Sequence, residues 1–142
     1  MNHGSSRQFS SGGGNLSVEV FSPQILTTTL SGCLDVAAAQ HLLACLEGWV
    51  KLGGSALLAF HDWETVTDYE ERARELLTPW SKANRSKFER VHILVSGRTL
   101  AWGIQLMNAL VGDLMTAHHS RAVFEARSRA ARCGRPAPMD AR

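Results

Sequence analysis

Residues 35–60 read DVAAAQHLLACLEGWVKLGGSALLAF: a capped helix, a glycine stop and an apolar strand in succession. Asp35 supplies the N-cap oxygen. Val36, Ala39, Leu42, Leu43, Leu46, Trp49 and Val50 then follow the i, i+3, i+4, i+7 spacing of a helix with one buried face. Gly53 and Gly54 end it, because glycine reaches the backbone angles of a helix stop. Ser55 to Phe60 is continuously apolar, as a strand covered on both faces must be. A helix leading into such a strand is one unit of an α/β domain with parallel strands.

The rest of the chain repeats the unit. Asp68 with Glu71 forms a capping-box-like pair that predicts a second helix, buried through Ala73, Leu76, Leu77 and Trp80. Pro79 lies inside this pattern and predicts a restart, with Thr78 as a new N-cap. Val91 to Val95 reads as a strand, Thr99 to Val111 as a third helix and Leu114 to His118 as the last strand. Ser120 caps a fourth helix from Arg121 to Arg132. Upstream, Leu16 to Phe21 and Ile25 to Leu30 read as strands, and the short Ser22-Pro23-Gln24 connection makes them antiparallel. The predicted core includes Val18, Leu30, Leu43, Leu46, Leu58, Phe60, Leu76, Ile93 and Ile104. Residues 1–15, rich in Gly and Ser, are expected to be disordered, as is the basic tail 133–142; the domain is expected to span 16–132.

At 142 residues the chain suits one core. An apolar fraction of 44% and a charged fraction of 20% are those of an ordinary globular domain. Three cysteines without metal-ligand spacing argue against a disulfide framework and for a reducing, cytoplasmic setting. Neither a secretory h-region nor a bilayer-length apolar run is present, so no membrane association is expected. The net charge of +2 is uneven: from Arg121 onward six arginines oppose Glu125 and Asp140, so the preceding body is mildly acidic.

Ligands of open α/β sheets gather where parallel strands end. Three such turns are legible, at residues 61–68, 96–98 and 118–120. Asp62, Thr67, Ser96 and Arg98 form the candidate ligand edge, suited to a small anion, nucleotide or lipid. His61, His118, His119 and Asp62 are metal-ligand types, but their spacing matches no zinc motif, and neither metal nor cofactor is expected. The acidic run Asp62, Glu64, Asp68, Glu70 and Glu71 is explained by carboxylates favouring a helix start. No serine or cysteine stands in a nucleophile context, so no catalytic residue is assigned. The C-terminal arginines have Phe124 as their one aromatic neighbour, which offers phosphate contacts without base stacking; nucleic acid is not the expected partner.

The third helix is the anomaly. Thr99 to Gly112, TLAWGIQLMNALVG, carries no charge. Leu100, Ile104, Met107 and Val111 make one apolar stripe; Trp102, Leu106 and Leu110 make another on the far side. A helix on a sheet needs one stripe, and a second must be covered by something else. Trp102, Leu106 and Leu110 are therefore the candidate partner-binding residues.

One further set of residues bears on family: His61-Asp62-Trp63-Glu64 at a strand end, Tyr69 and Arg74, Leu77-Thr78 with Trp80, Ala83-Asn84-Arg85, Val91-His92-Ile93-Leu94, then Arg121 with Phe124-Glu125. In these and in its hairpin–helix–strand order the chain, from about Val18 to Arg127, resembles the STAS domain (sulphate transporter and anti-sigma factor antagonist), in a STAS-like branch of small bacterial proteins. The resemblance implies a mixed sheet of four or five strands with about four helices. It also implies a non-enzymatic role in regulation through protein contacts, and a homodimer is one form that such contact is expected to take. In anti-sigma antagonists a serine opens the second helix as a phosphorylation switch. Here that turn reads Thr67-Asp68-Tyr69-Glu70, without the serine.

A phosphate at this turn would add roughly −2 charge to an acidic cluster. The chain is thus expected to carry no regulatory phosphate there and to bind its partner constitutively. Phosphopeptide mapping of protein from its own host checks this, and stoichiometric phosphate on Thr67 or Tyr69 is the result that would sink it.

Overall fold

The computed structural model describes residues 5–134. Six strands form one sheet in chain order: β1 Ser5–Ser10, β2 Gly14–Ser22, β3 Ile25–Leu34, β4 Leu57–Tyr69, β5 Phe88–Leu94 and β6 Met115–His118. The first three are antiparallel, and β3 through β6 run parallel. Helices α1 Val36–Gly53, α2 Glu71–Ala83 and α3 Arg98–Val111 fill the crossovers, and α4 Arg121–Arg132 follows β6.

Alternation along β4 sorts the core into two layers. Leu57, Ala59 and Trp63 join the cluster beneath α1, α2 and α3, which holds Leu42, Trp49, Leu77 and Ile104. Phe60, with Leu58 against it, joins Ile25, Leu94 and Phe124 beneath α4. The ends of α1 and the start of α4 follow the caps read from the sequence. Asp35 accepts from the Ala38 amide at 2.8 Å, Gly54 stops α1 at φ +81°, and Ser120 accepts from Val123 at 3.3 Å.

Four expectations are corrected. The N-terminal segment is not disordered throughout, because Ser5–Ser10 pairs with β2 as the sheet's first strand. Its glycines close a turn rather than loosen a linker: Ser11 donates to the Gly14 carbonyl at 2.9 Å, and Cys33 to that of Gly13 at 2.7 Å. Gly32, at φ +85°, lets the two backbones meet there, and Phe9 stacks on His41 with centroids 4.6 Å apart. The sheet thus has six strands, and the folded unit begins before Leu16. Of the tail 133–142, residues 135–142 lie outside those described.

Second, 61–68 is strand, not a strand-to-helix turn. β3 continues to Leu34 and gives β4 ladder partners as far as Tyr69, so the amides there are already paired. α2 accordingly starts at Glu71 behind Glu70, and Asp68 caps nothing. Third, Pro79 is accommodated within one continuous α2, where the Thr78 hydroxyl donates to the Arg74 carbonyl at 2.8 Å. Fourth, Leu76 is 36% exposed, because α2 turns Ala73, Leu77, Thr78 and Ser81 inward instead. Leu43 and Leu58 are half-buried, and the other six predicted core residues are buried.

The contrast between two leucines tests this packing. Leu30, fully enclosed between β2 and β4, should cost about 2–5 kcal/mol when changed to Ala. Leu76→Ala should lose less than a quarter of that free energy, read from urea unfolding. Equal losses in the two variants would contradict the placement of α2.

Candidate functional site

The candidate ligand edge assembles only in part. Arg121, in the first turn of α4, reaches back to β4 and bonds Asp62 at 2.9 Å and Glu64 at 2.7 Å, while also holding Glu125 at 2.8 Å. These carboxylates raise the guanidinium pKa further above its ordinary value. Ser96 joins the group by donating to the Glu64 carbonyl at 2.8 Å. Thr67 does not join, since it lies five residues up β4, roughly 16 Å away along a strand, and donates to the Gly32 carbonyl at 3.3 Å. Arg98 opens α3 behind Gly97. Three carboxylates surround one guanidinium at this edge, an excess of negative charge that disfavours an anion.

On α3 the inner and outer apolar stripes separate by burial. Leu100, Ile104, Met107 and Val111 face the core. Trp102 is 60% exposed and Leu110 52%, with Leu106 half-buried between them. Gly103 lets α3 approach the sheet, since a Cβ there would meet the Tyr69 ring at 2.8 Å. The inner stripe is thus held close, and the outer one is left in solvent.

Sequence reasoning missed the buried histidines as a group. Trp63 Nε1 donates to Thr28 Oγ1 at 2.9 Å, and Thr28 lies 2.7 Å from His61 Nδ1. With its oxygen accepting from Trp63, the Thr28 hydroxyl is free to donate to Nδ1, which leaves the His61 proton on Nε2. Burial pushes the His61 pKa down to about 4. The ring borders a cavity of about 60 Å³ beneath α2 and α3, room for a few waters and well under the roughly 150 Å³ that admits benzene.

On the other sheet face, His92 Nδ1 and His118 Nε2 share a hydrogen bond of 2.9 Å. His92 stacks on Phe60 at 4.8 Å, and His118 meets Phe124 edge-on at 5.9 Å. A bond between two ring nitrogens holds one proton, so the pair is stable as neutral imidazoles. Desolvation, then His118 and Arg127, push His92 down to about 3; desolvation and Arg127 also lower His118. The signal available in sequence was parity, since His92 lies among apolar residues on a strand read as doubly covered.

No group of three ligand-type side chains is close enough to hold a metal among the described residues. Cys45 Sγ is 3.7 Å from His41 Nε2, but burial raises the thiol pKa, away from the thiolate a nucleophile needs. Glu70, unremarked in the sequence except for its charge, accepts from the Val36 amide at 2.8 Å and ties the start of α2 to that of α1.

Sheet order, crossovers and the single helix on the second face define a SpoIIAA-like, or STAS, fold. A solved structure shares it: an uncharacterised protein of the DUF3478 family with a SpoIIAA-like fold, from Shewanella loihica PV-4. The two chains are 14% identical with a TM-score of 0.57, over 89% of this chain and 96% of that one. No protein-family model and no curated protein matches the sequence. Among the described residues no helix is long and apolar enough to cross a membrane.

The histidines make stability depend on acidity. Unfolded, the rings take up a proton near pH 6.5; folded, His61 and His92 resist it down to about 4 and 3. Below 6.5 the unfolded chain therefore binds more protons, and stability falls as pH drops. The melting temperature should decline steadily between pH about 6.5 and about 4, and stay level in that respect above 6.5. A profile flat across this window would remove the neutral pair from the account.

Proposed function

We propose that this chain is a non-catalytic regulatory module that works through protein contact, with the outer face of α3 as the contact surface and a second copy of the chain among the partners it fits. The carrying observation is the exposure of Trp102 and Leu110 on a helix whose residues 99–111 hold no charge. A Trp side chain offers 150–250 Å² to a partner, and Trp is a preferred anchor of protein interfaces. Leu106 and Leu110, one and two turns on, extend the patch along the helix. The SpoIIAA-like fold agrees with a regulatory role, and the absence of a phosphorylatable serine at the second-helix turn fits a contact that needs no switch. The Asp62, Thr67, Ser96 and Arg98 edge is the weaker reading: Thr67 stands apart, and carboxylates outnumber the cation that binds them.

Trp102→Asp tests the contact without touching the core. The variant should keep the wild-type circular dichroism and melting temperature. Its self-association, measured by sedimentation velocity, should weaken roughly thirtyfold or more, the equivalent of a 2 kcal/mol anchor. If wild type is a monomer at high concentration, the same substitution should remove a protein captured from the native host. Unchanged mass together with unchanged captured partners would reject the proposal.

A further inference from the structure

A groove of about 430 Å³ runs between the N-terminal hairpin and α1, with Arg7, Val18, Val20, Cys45, Gly48 and Trp49 among its walls. That volume lies within the range of small-molecule sites. Part of the space exists because of what α1 lacks. Gly48 sits in mid-helix, where glycine weakens the helix relative to alanine, and a Cβ built on it meets nothing within 4 Å. No packing demand accounts for the glycine; its effect is to keep the groove open.

Two features give the groove a chemical character. Trp49 is 1% exposed, and its Nε1 is the buried side-chain polar atom without a hydrogen-bond partner among the described residues. That N–H is sealed from solvent, so Trp49 serves the groove as an apolar wall and as a reporter of what occupies it. The second feature is Arg7. It pairs across the hairpin with Val18 and lines the groove together with Cys45 of α1. No carboxylate forms an ion pair with it among the described residues. Glu19, next along β2 from Val18, points to the opposite sheet face. Glu47 on α1 accepts from Trp80 Nε1 at 2.8 Å.

We infer that this groove binds a small amphipathic anion. Its apolar body, a short aliphatic chain or an aromatic ring, lies over Gly48 and the β2 valines, and one carboxylate-type head meets Arg7. The site is independent of the α3 surface and of the function proposed for it. It also differs from the strand-end edge in sign, offering an unpaired cation where that edge offers excess carboxylate.

Titration of the full chain, labelled with ¹⁵N-tryptophan, by sodium octanoate tests the inference, with 1-octanol as the uncharged control. Of the four indole N–H resonances, that of Trp49 should move saturably with octanoate, and octanol should bind more weakly. Arg7→Gln should lower octanoate affinity on the order of tenfold, as loss of a charge-assisted hydrogen bond does, and leave octanol unchanged. Gly48→Leu should fill the groove and abolish the shift while holding or raising the melting temperature. Ala44→Leu, which fills the groove from the preceding turn, serves if that variant does not fold. A Trp49 resonance unmoved at millimolar octanoate overturns the site. Equal octanoate affinity in Arg7→Gln, or octanol matching octanoate, overturns the anionic ligand.

Discussion

The parallel ladder between β3 and β4 is the constraint from which the rest of the molecule follows. It runs from Ile25 opposite Leu58 to Leu34 opposite Tyr69, and it has the antiparallel hairpin on one side and the two remaining parallel strands on the other. Parallel neighbours demand a crossover, and α1 supplies it. The length of the ladder also decides what the residues after Phe60 become. With β3 present alongside, Asp62 through Tyr69 can pair their backbones only as strand, and the buried Trp63–Thr28–His61 chain locks the two strands side chain to side chain. Everything beyond, from the start of α2 to the position of the acidic edge, is displaced accordingly.

That displacement marks where reading the sequence stops working. Helix α1, its cap and its stop were legible because each depends on residues within a turn or two. The same holds for α4, whose Ser120 cap and Arg132 end match the expected bounds. The length of β4 was not legible. The acidic, hydroxyl-rich run after Phe60 carries helix-start signals, and what overrides them is a partner strand thirty residues away in sequence. The N-terminal strand was hidden for a related reason. Glycine and serine composition describes the entropy of a free segment, whereas Gly13 and Gly32 act by letting two backbones approach. The exposure of Trp102 and Leu110 on α3 depended on local periodicity and was legible. The ligand edge depended on a turn that is not there, and Thr67 lies up β4, away from Asp62 and Ser96.

The surfaces of the molecule divide by charge and polarity in a way the fold explains. α3 has its inner face held against Tyr69 and the sheet, so its second apolar stripe can only look outward. α4 covers the opposite sheet face alone, and its first residue spends its charge on three carboxylates. Beneath α4 lie two imidazoles, with Arg90 and Arg127 as their charged neighbours, so this layer is held by neutral rings and aromatic stacking rather than by ion pairs. The molecule thus presents one exposed apolar stripe on α3, and at the start of α4 one guanidinium held by three carboxylates.

Strand order equal to chain order carries a consequence for assembly. Each strand adds to the edge left by its predecessor, so no strand need wait for one made later, and each loop closed on the way is short. Emerging from a ribosome, such a chain can build its sheet in the order of synthesis. The exception is the face beneath α4: Phe60 and Leu94 have no cover until Arg132 has emerged. A nascent or truncated chain therefore exposes one greasy side of a completed sheet, the kind of surface that chaperones hold and aggregates grow from.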